Sequence, residues 1–203
     1  MFALLHLTNQ SAMFRYRLFV LMCFFISLEL CAINLGSEAY DGLVVTKVDT
    51  IHGKVEVDLV RNIVKVRSGS KYYNMVASQV KKVIVYEPGF PRSYFSGSFG
   101  PDNQYILFEI LSTGKVNLLF REGVKFSQFD EEAFPPFFIS RDNSIYSVST
   151  KKEFLSHLDQ RAEEVKAYLK QNKTSFGSKA DLVALFDFYN GISKASEMFA
   201  FEN

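Results

Sequence analysis

The residues able to carry chemistry are few, and no familiar constellation emerges from their spacing. Beyond an opening apolar segment there are two histidines, His52 and His157. A metal ion needs further ligands at short spacing, as in His-x-x-x-His, and neither histidine has one. His52 falls in an expected turn and His157 on the wet flank of an expected helix, so both read as structural. Gly97-Ser98-Phe99-Gly100 departs from the Gly-x-Ser-x-Gly elbow of serine hydrolases and reads as a glycine-rich loop. No Walker or dinucleotide fingerprint occurs. Asp130-Glu131-Glu132 offers oxygens to a hard cation, yet three adjacent acids do not converge on one ion and the EF-hand pattern is missing. The stretch reads as a solvated acidic loop.

A carboxylate-dependent hydrolase would have to draw its pair from Glu109, Glu122 and Asp130, with no short motif to announce it. Asn172-Lys173-Thr174 fits an N-glycosylation sequon, which matters only in a eukaryotic secretory pathway. The absence of tryptophan weighs against sugar binding, although tyrosine can also stack on sugar rings. No catalytic residue, cofactor or metal is assigned, and the reading leans away from an enzyme. What stands out instead is aromatic. Phe90, Tyr94, Phe95 and Phe99 lie in a Gly-, Ser- and Pro-rich stretch, Pro88 to Asn103, that reads as a long loop. Burying each large apolar side chain is worth about 1.5–3 kcal/mol, so four such rings should not all face water. Either they fold back over a sheet edge or barrel end, or they form a contact surface for an envelope protein or a lipid.

The elements that must position these residues are mostly strands. In Lys54-Val55-Glu56-Val57-Asp58-Leu59, apolar and charged side chains alternate strictly, placing Val55, Val57 and Leu59 on one face. Arg61-Asn62 turns the chain into Ile63–Val66, and Ser68-Gly69-Ser70 turns it into Lys71–Met75. Val80–Tyr86 follows. Leu43–Val48 precedes them as a first strand, with a turn expected at Ile51-His52-Gly53. Gln104–Leu111 is apolar on both faces, as a central strand should be. A hairpin at Ser112-Thr113-Gly114 leads to Lys115–Arg121. After an irregular stretch from Gly123 to Pro136, a last hairpin pairs Phe137–Ile139 with Ser144–Val148 around Arg141-Asp142-Asn143.

At Thr150 the period changes from two to about 3.6 residues. Thr150-Lys151-Lys152-Glu153 has capping-box spacing. Phe154, Leu155 and Leu158 face inward from a first helix. Asp159 heads a second, with Ala162, Val165, Tyr168 and Leu169 inside, and Ser178 a third, with Leu182, Val183, Leu185, Phe186 and Tyr189 inside. Asn190-Gly191 supplies a stop. Strands first and helices last predict an α+β fold, an antiparallel β-rich body (sheet, sandwich or open barrel) followed by about three C-terminal helices.

The opening segment gives an address. Arg15 and Arg17 precede the apolar run Leu18–Leu28, Glu29 ends it, and Leu30-Cys31-Ala32 is a cleavage site, so residues 1–32 read as a signal peptide, with Met1 or Met13 as the start. The run is about half the ~20 residues needed to cross a bilayer. Cys31 offers lipid attachment as an alternative to cleavage after Ala32. Removing 1–32 leaves 171 residues, enough for one domain burying about 70 % of its unfolded surface. It also takes away both cysteines, Cys23 and Cys31, and with them any disulfide, thiolate metal site or cysteine nucleophile. Residues 33–149 then form the β body, 150–191 the helical part on the same core, and 192–203 a tail. Basic and acidic residues balance to zero in that remainder, which gives no reason to expect nucleic acid as a partner.

Tyr40-Asp41-Gly42 before the first strand, Tyr72-Tyr73 and Gly114-Lys115 mark the first half of a recognisable layout. Lys151-Lys152, Tyr168-Leu169-Lys170-Gln171-Asn172-Lys173, Asp181-Leu182 and Phe188-Tyr189-Asn190 mark the second. Together, over most of residues 40–190, they resemble uncharacterised secreted or cell-envelope proteins of Bacteroidota-type bacteria, a group with no known activity and so no functional residues to carry over. The resemblance implies export to the periplasm, outer membrane or exterior. The expected function is an exported, non-enzymatic binding or envelope-structural protein. The alternatives are the carboxylate hydrolase above and a carrier of a small apolar ligand inside a closed barrel.

Overall fold

A computed structural model describes residues 39–126 and 132–200, with side chains through Ser193. Residues 1–32, where a signal peptide is expected, with Cys23 and Cys31, the acids Asp130 and Glu131, and Phe201 lie outside the described residues, as do the side chains of Met198 and Phe199. The strands are β1 (Tyr40–Thr46), β2 (Thr50–Asp58), β3 (Ile63–Ser68), β4 (Lys71–Val76), β5 (Val80–Glu87), β6 (Phe90–Phe99), β7 (Gln104–Ser112), β8 (Asn117–Phe120), β9 (Phe137–Arg141) and β10 (Ser144–Val148). All pair antiparallel in one ten-stranded sheet, in the order β10-β9-β8-β7-β6-β5-β1-β2-β3-β4. Three helices follow: α1 (Lys151–Ser156), α2 (Ala162–Asn172) and α3 (Lys179–Ala200). The α+β class is therefore correct, and the body is a sheet.

That sheet cannot be flat. β4 lies at one edge and β5 four strand spacings away, yet a single 3-10 turn, Ala77–Gln79, joins them. Four spacings amount to about 19 Å, while the link spans at most about 14 Å. The strands β5-β1-β2-β3-β4 must curl, and the curl encloses Val44, Val55, Val64, Val66, Val83 and Tyr94. Asn62 in the β2–β3 turn closes its mouth: its side-chain oxygen accepts from Leu107 N at 3.2 Å and its carbonyl from Ala77 N at 3.0 Å. Ser96 Oγ donates to Ala77 O at 2.6 Å. The other half curls too. A Cβ on Gly97 in β6 would collide with Ile145 Cδ1 of β10 and with the Phe95 ring, so the absence of a side chain there lets both pack against the β6 backbone. Phe108, Leu119 and Phe138 are the centre of this second core.

The helices cover β8, β9 and β10 on the face opposite that second core. Leu118, Phe137, Ile139 and Val148 meet Phe154, Leu158, Val165, Leu182, Phe186 and Tyr189. Thr150 and Glu153 form the expected capping box, with Thr150 N donating to Glu153 Oε2 at 3.0 Å and Glu153 N to Thr150 Oγ1 at 3.3 Å. Hydrogen bonds from the Ser149 and Thr150 amides hold the Glu153 carboxyl below its ordinary value. Ser178 Oγ accepts from Asp181 N at 3.3 Å, as a cap of α3 should.

Four expectations fail here. Pro88–Asn103 is not a loop, because Phe90–Phe99 is strand β6. Gly97 serves the close approach of β10, and Pro91 sits where β6 pairs with β5 alone, the β6–β7 ladder ending at Ser93–Ile110. Ile51-His52-Gly53 lies inside β2; the turn is earlier, where Thr46 N donates to Asp49 O at 2.8 Å. Asp159 starts a 3-10 turn and pairs with Arg141, so α2 begins at Ala162. α3 continues past Asn190-Gly191 to Ala200.

Asn190 has another use. Its side-chain amide pairs with the peptide of Val116, accepting from the N–H at 3.2 Å and donating to the carbonyl at 2.9 Å. It thereby replaces a strand partner at the buried end of the β7–β8 connection, and Asn190 itself occupies the space where a Cβ on Gly114 would sit. Asn190→Ala strands both backbone groups and should cost about 2–4 kcal/mol. Urea denaturation checks this; a loss below about 0.5 kcal/mol, the scale of a bland surface change, would refute it.

Candidate ligand groove

The strand β7 carries one charged side chain in an apolar run, Glu109 in Ile106-Leu107-Phe108-Glu109-Ile110-Leu111, and the candidate site is built around it. The β6–β7 register sets Glu109 opposite Tyr94, so alternation places Phe90, Arg92, Tyr94 and Glu109 on the same side of the sheet, the side that α3 covers. Arg92 Nε donates to Glu109 Oε1 at 3.0 Å, and Lys179 Nζ, at the first residue of α3, donates to Oε2 at 2.9 Å. Arg92 Nη1 also reaches Glu87 Oε1 at 3.4 Å. The guanidinium lies 5.4 Å from the Tyr94 ring centre, and the Lys179 ammonium 4.2 Å from that of Phe120.

Burial, with Glu109 only 8 % exposed, would raise its carboxyl; the hydrogen bonds from Arg92 and Lys179 outweigh it and hold the group below its ordinary value. Burial alone would lower Arg92, yet the bond to Glu109 leaves it raised. Tyr94 is pushed up to about 12, first by burial, with Arg92 opposing. Glu109 is thus held ionised with both oxygens engaged, which suits it poorly to the general-acid half of a carboxylate pair.

Beside this cluster α3 and β6 stand apart. The β6–β7 ladder stops at Ser93–Ile110 and the β7–β8 register shifts between Ile110 and Ser112, so the chain from Phe90 to Arg92 projects beyond its neighbour. The facing flank of α3 carries the small side chains of Ala180 and Ala184. A groove of about 800 Å³ results, with Leu111 on its floor, Phe90 and Arg92 on one wall, and Val183 and Asp187 on the other. This lies within the ~300–1,000 Å³ typical of small-molecule sites. Asp187 Oδ1 accepts from Ser112 Oγ at 2.6 Å, which fixes that carboxylate at the groove's far end.

The four aromatic residues expected to act together are divided by strand alternation. Tyr94 is buried in the first core. Phe95 and Phe99 point to the opposite face and join the second core, where Phe99 packs at 5.2–6.4 Å from Phe108, Phe126, Phe134 and Phe138. Phe90 alone remains outside, 62 % exposed, and lines the groove. A shared surface of Phe90, Tyr94, Phe95 and Phe99 does not exist.

The other candidates disperse as well. Glu122 is exposed and does not line the groove that holds Glu109. His52 is exposed on β2, while the His157 ring lies tilted against Tyr146 at 4.7 Å and is lowered by burial and by Arg141, with Asp159 opposing. Among the described residues no three His, Cys, Asp or Glu side chains gather as metal ligands, and no helix is long and apolar enough to cross a membrane. The hollow in the second curl measures about 250 Å³ and has Ser98, Asn117, Ser140 and Asn143 in its lining, which suits an apolar cargo poorly. Sequence reasoning named Glu109 but missed Arg92 and Lys179. A lone carboxylate in an apolar central strand was the available signal, since such a group must find partners. Comparison with protein-family models, curated proteins and solved structures finds no match to this chain.

Glu109→Gln leaves Arg92 and Lys179 without their shared counter-charge and should cost about 3 kcal/mol at neutral pH. Because the folded-state carboxyl titrates below its ordinary 4.5, its contribution is complete above that value and lost as pH falls through the lower folded one. Urea midpoints measured stepwise from pH 7 to about pH 3 should therefore show wild type and variant converging in acid. A gap that stays constant with pH would contradict the assignment.

Proposed function

We propose that the chain is an exported, non-enzymatic binding protein that takes its ligand in the groove between β6 and α3. The observation that carries this reading is the groove itself: exposed Phe90 faces partly buried Val183 across Leu111, above a charge cluster whose members hold one another in place. An exposed apolar strip edged by fixed charges is what a binding cleft offers. Export is supported by Arg15 and Arg17 ahead of Leu18–Leu28 and by the resemblance to cell-envelope proteins. An envelope protein or a lipid remains a partner class on that reading, but contact through the four rings together is given up.

Ala184→Phe tests the site. The position is exposed on the groove wall, so the ring fills the groove without disturbing the core. Small-molecule fragments that shift the amide resonances of Phe90, Leu111 and Val183 in the wild type should lose that effect in Ala184→Phe, with the melting temperature unchanged. Fragments that bind both proteins equally would place recognition elsewhere. For export, expression of the full chain in a Gram-negative host should yield a periplasmic or envelope product lacking residues 1–32 or lipidated at Cys31. An intact cytoplasmic chain would overturn that half of the proposal.

A further inference from the structure

The groove has a charge pattern that selects its ligand. Four of its ionic residues neutralise one another: Glu87 and Glu109 carry two negative charges, Arg92 and Lys179 two positive ones, joined by contacts of 3.4, 3.0 and 2.9 Å. Asp187 is the remaining charge in the lining. It is exposed, lies two helical steps of four residues beyond Lys179 on the same flank of α3, and so sits about 12 Å from the balanced cluster. Among the described residues it has one hydrogen bond, from Ser112 Oγ at 2.6 Å, which orients Oδ1 and leaves Oδ2 without a partner in a residue that lines the groove. Val183, one turn before Asp187, and Phe90 across the gap offer an apolar wall beside that oxygen.

Resting on the groove reading above, we infer that the groove takes an amphipathic monocation, with an alkylammonium head on Asp187 and an aryl or alkyl body between Phe90 and Val183. An anionic head would meet Asp187 with no free cation to offset it, since Arg92 and Lys179 are both engaged by Glu109. A neutral ligand would leave the oriented carboxylate unused. The ammonium has two sources, a free organic amine or a lysine side chain of a partner polypeptide, and the chemistry at Asp187 is the same for both.

The test uses wild-type protein and four probes: 2-phenylethylamine, 2-phenylethanol, 3-phenylpropionate, and a lysine–phenylalanine dipeptide acetylated and amidated at its ends. Calorimetry gives the affinities, and amide shifts at Phe90, Val183 and Asp187 give the location. The amine or the dipeptide should bind at least about tenfold more tightly than the alcohol. The carboxylate should bind most weakly, and the advantage of the cations should shrink at high salt. Whichever cation binds more tightly names the source, and either keeps the inference. Asp187→Asn should erase the gap between amine and alcohol, and Ser112→Ala should narrow it. Equal binding of amine and alcohol, both shifting Phe90 and Val183, would overturn the charge preference and leave the groove reading standing. If no probe shifts those residues, both fail.

Discussion

Glu109 is the constraint from which the arrangement of strands and helices around the groove follows. A carboxylate in the middle of an apolar strand, with side chains 5 % exposed or less at Ile106, Leu107 and Phe108, must either lose its charge or gather cations. It gathers two, from different parts of the chain. Arg92 brings the start of β6 to β7, and Lys179 brings the first residue of α3 onto the sheet. A single buried anion thus ties the Ser178-capped start of the long helix to β7, and the direction of α3 from that point determines what lies over β8 and what is left open beside β6. The groove is the space between the two elements that answer to the same carboxylate.

The second constraint is geometric. A three-residue link between strands four places apart forces a curl, and a glycine facing Ile145 permits the other. Because the two curls enclose opposite faces, β6 and β7 must be apolar on both sides. Tyr94 and Leu107 serve one core, and Phe95 and Phe108 the other. This doubled demand explains the aromatic density of the stretch around β6 without appeal to recognition. It also isolates Phe90, which lies past the end of the β6–β7 ladder and is the one ring of the four with no core to enter.

Local rules were legible wherever one force dominated. The alternation from Lys54 to Leu59, the hairpin at Arg141–Asn143, the double-sided character of Gln104–Leu111 and the Thr150–Glu153 capping box all read directly from residue order, and each appears. The failures share a cause. Gly, Ser and Pro between Pro88 and Asn103 resemble loop chemistry, but the stretch is strand β6, and Gly97 within it answers to a strand nearly fifty residues later. Asn190-Gly191 has the composition of a helix stop, but the asparagine is recruited to a peptide seventy-four positions earlier. The groove was the least legible part, because Arg92, Glu109 and Lys179 are separated by up to eighty-seven positions and only the fold shows that they meet. Glu109 announced that partners must exist without naming them.

The most direct measurement of this account is the coupling between Glu109 and Lys179 in a double-mutant cycle, Glu109→Gln and Lys179→Met singly and together, read by equilibrium unfolding at neutral pH. If the shared carboxylate pins α3 to the sheet, the two substitutions should fall short of additivity by about 1.5 kcal/mol or more. Additive losses would mean that the helix is placed by its apolar face alone, and that the carboxylate beside the groove organises nothing.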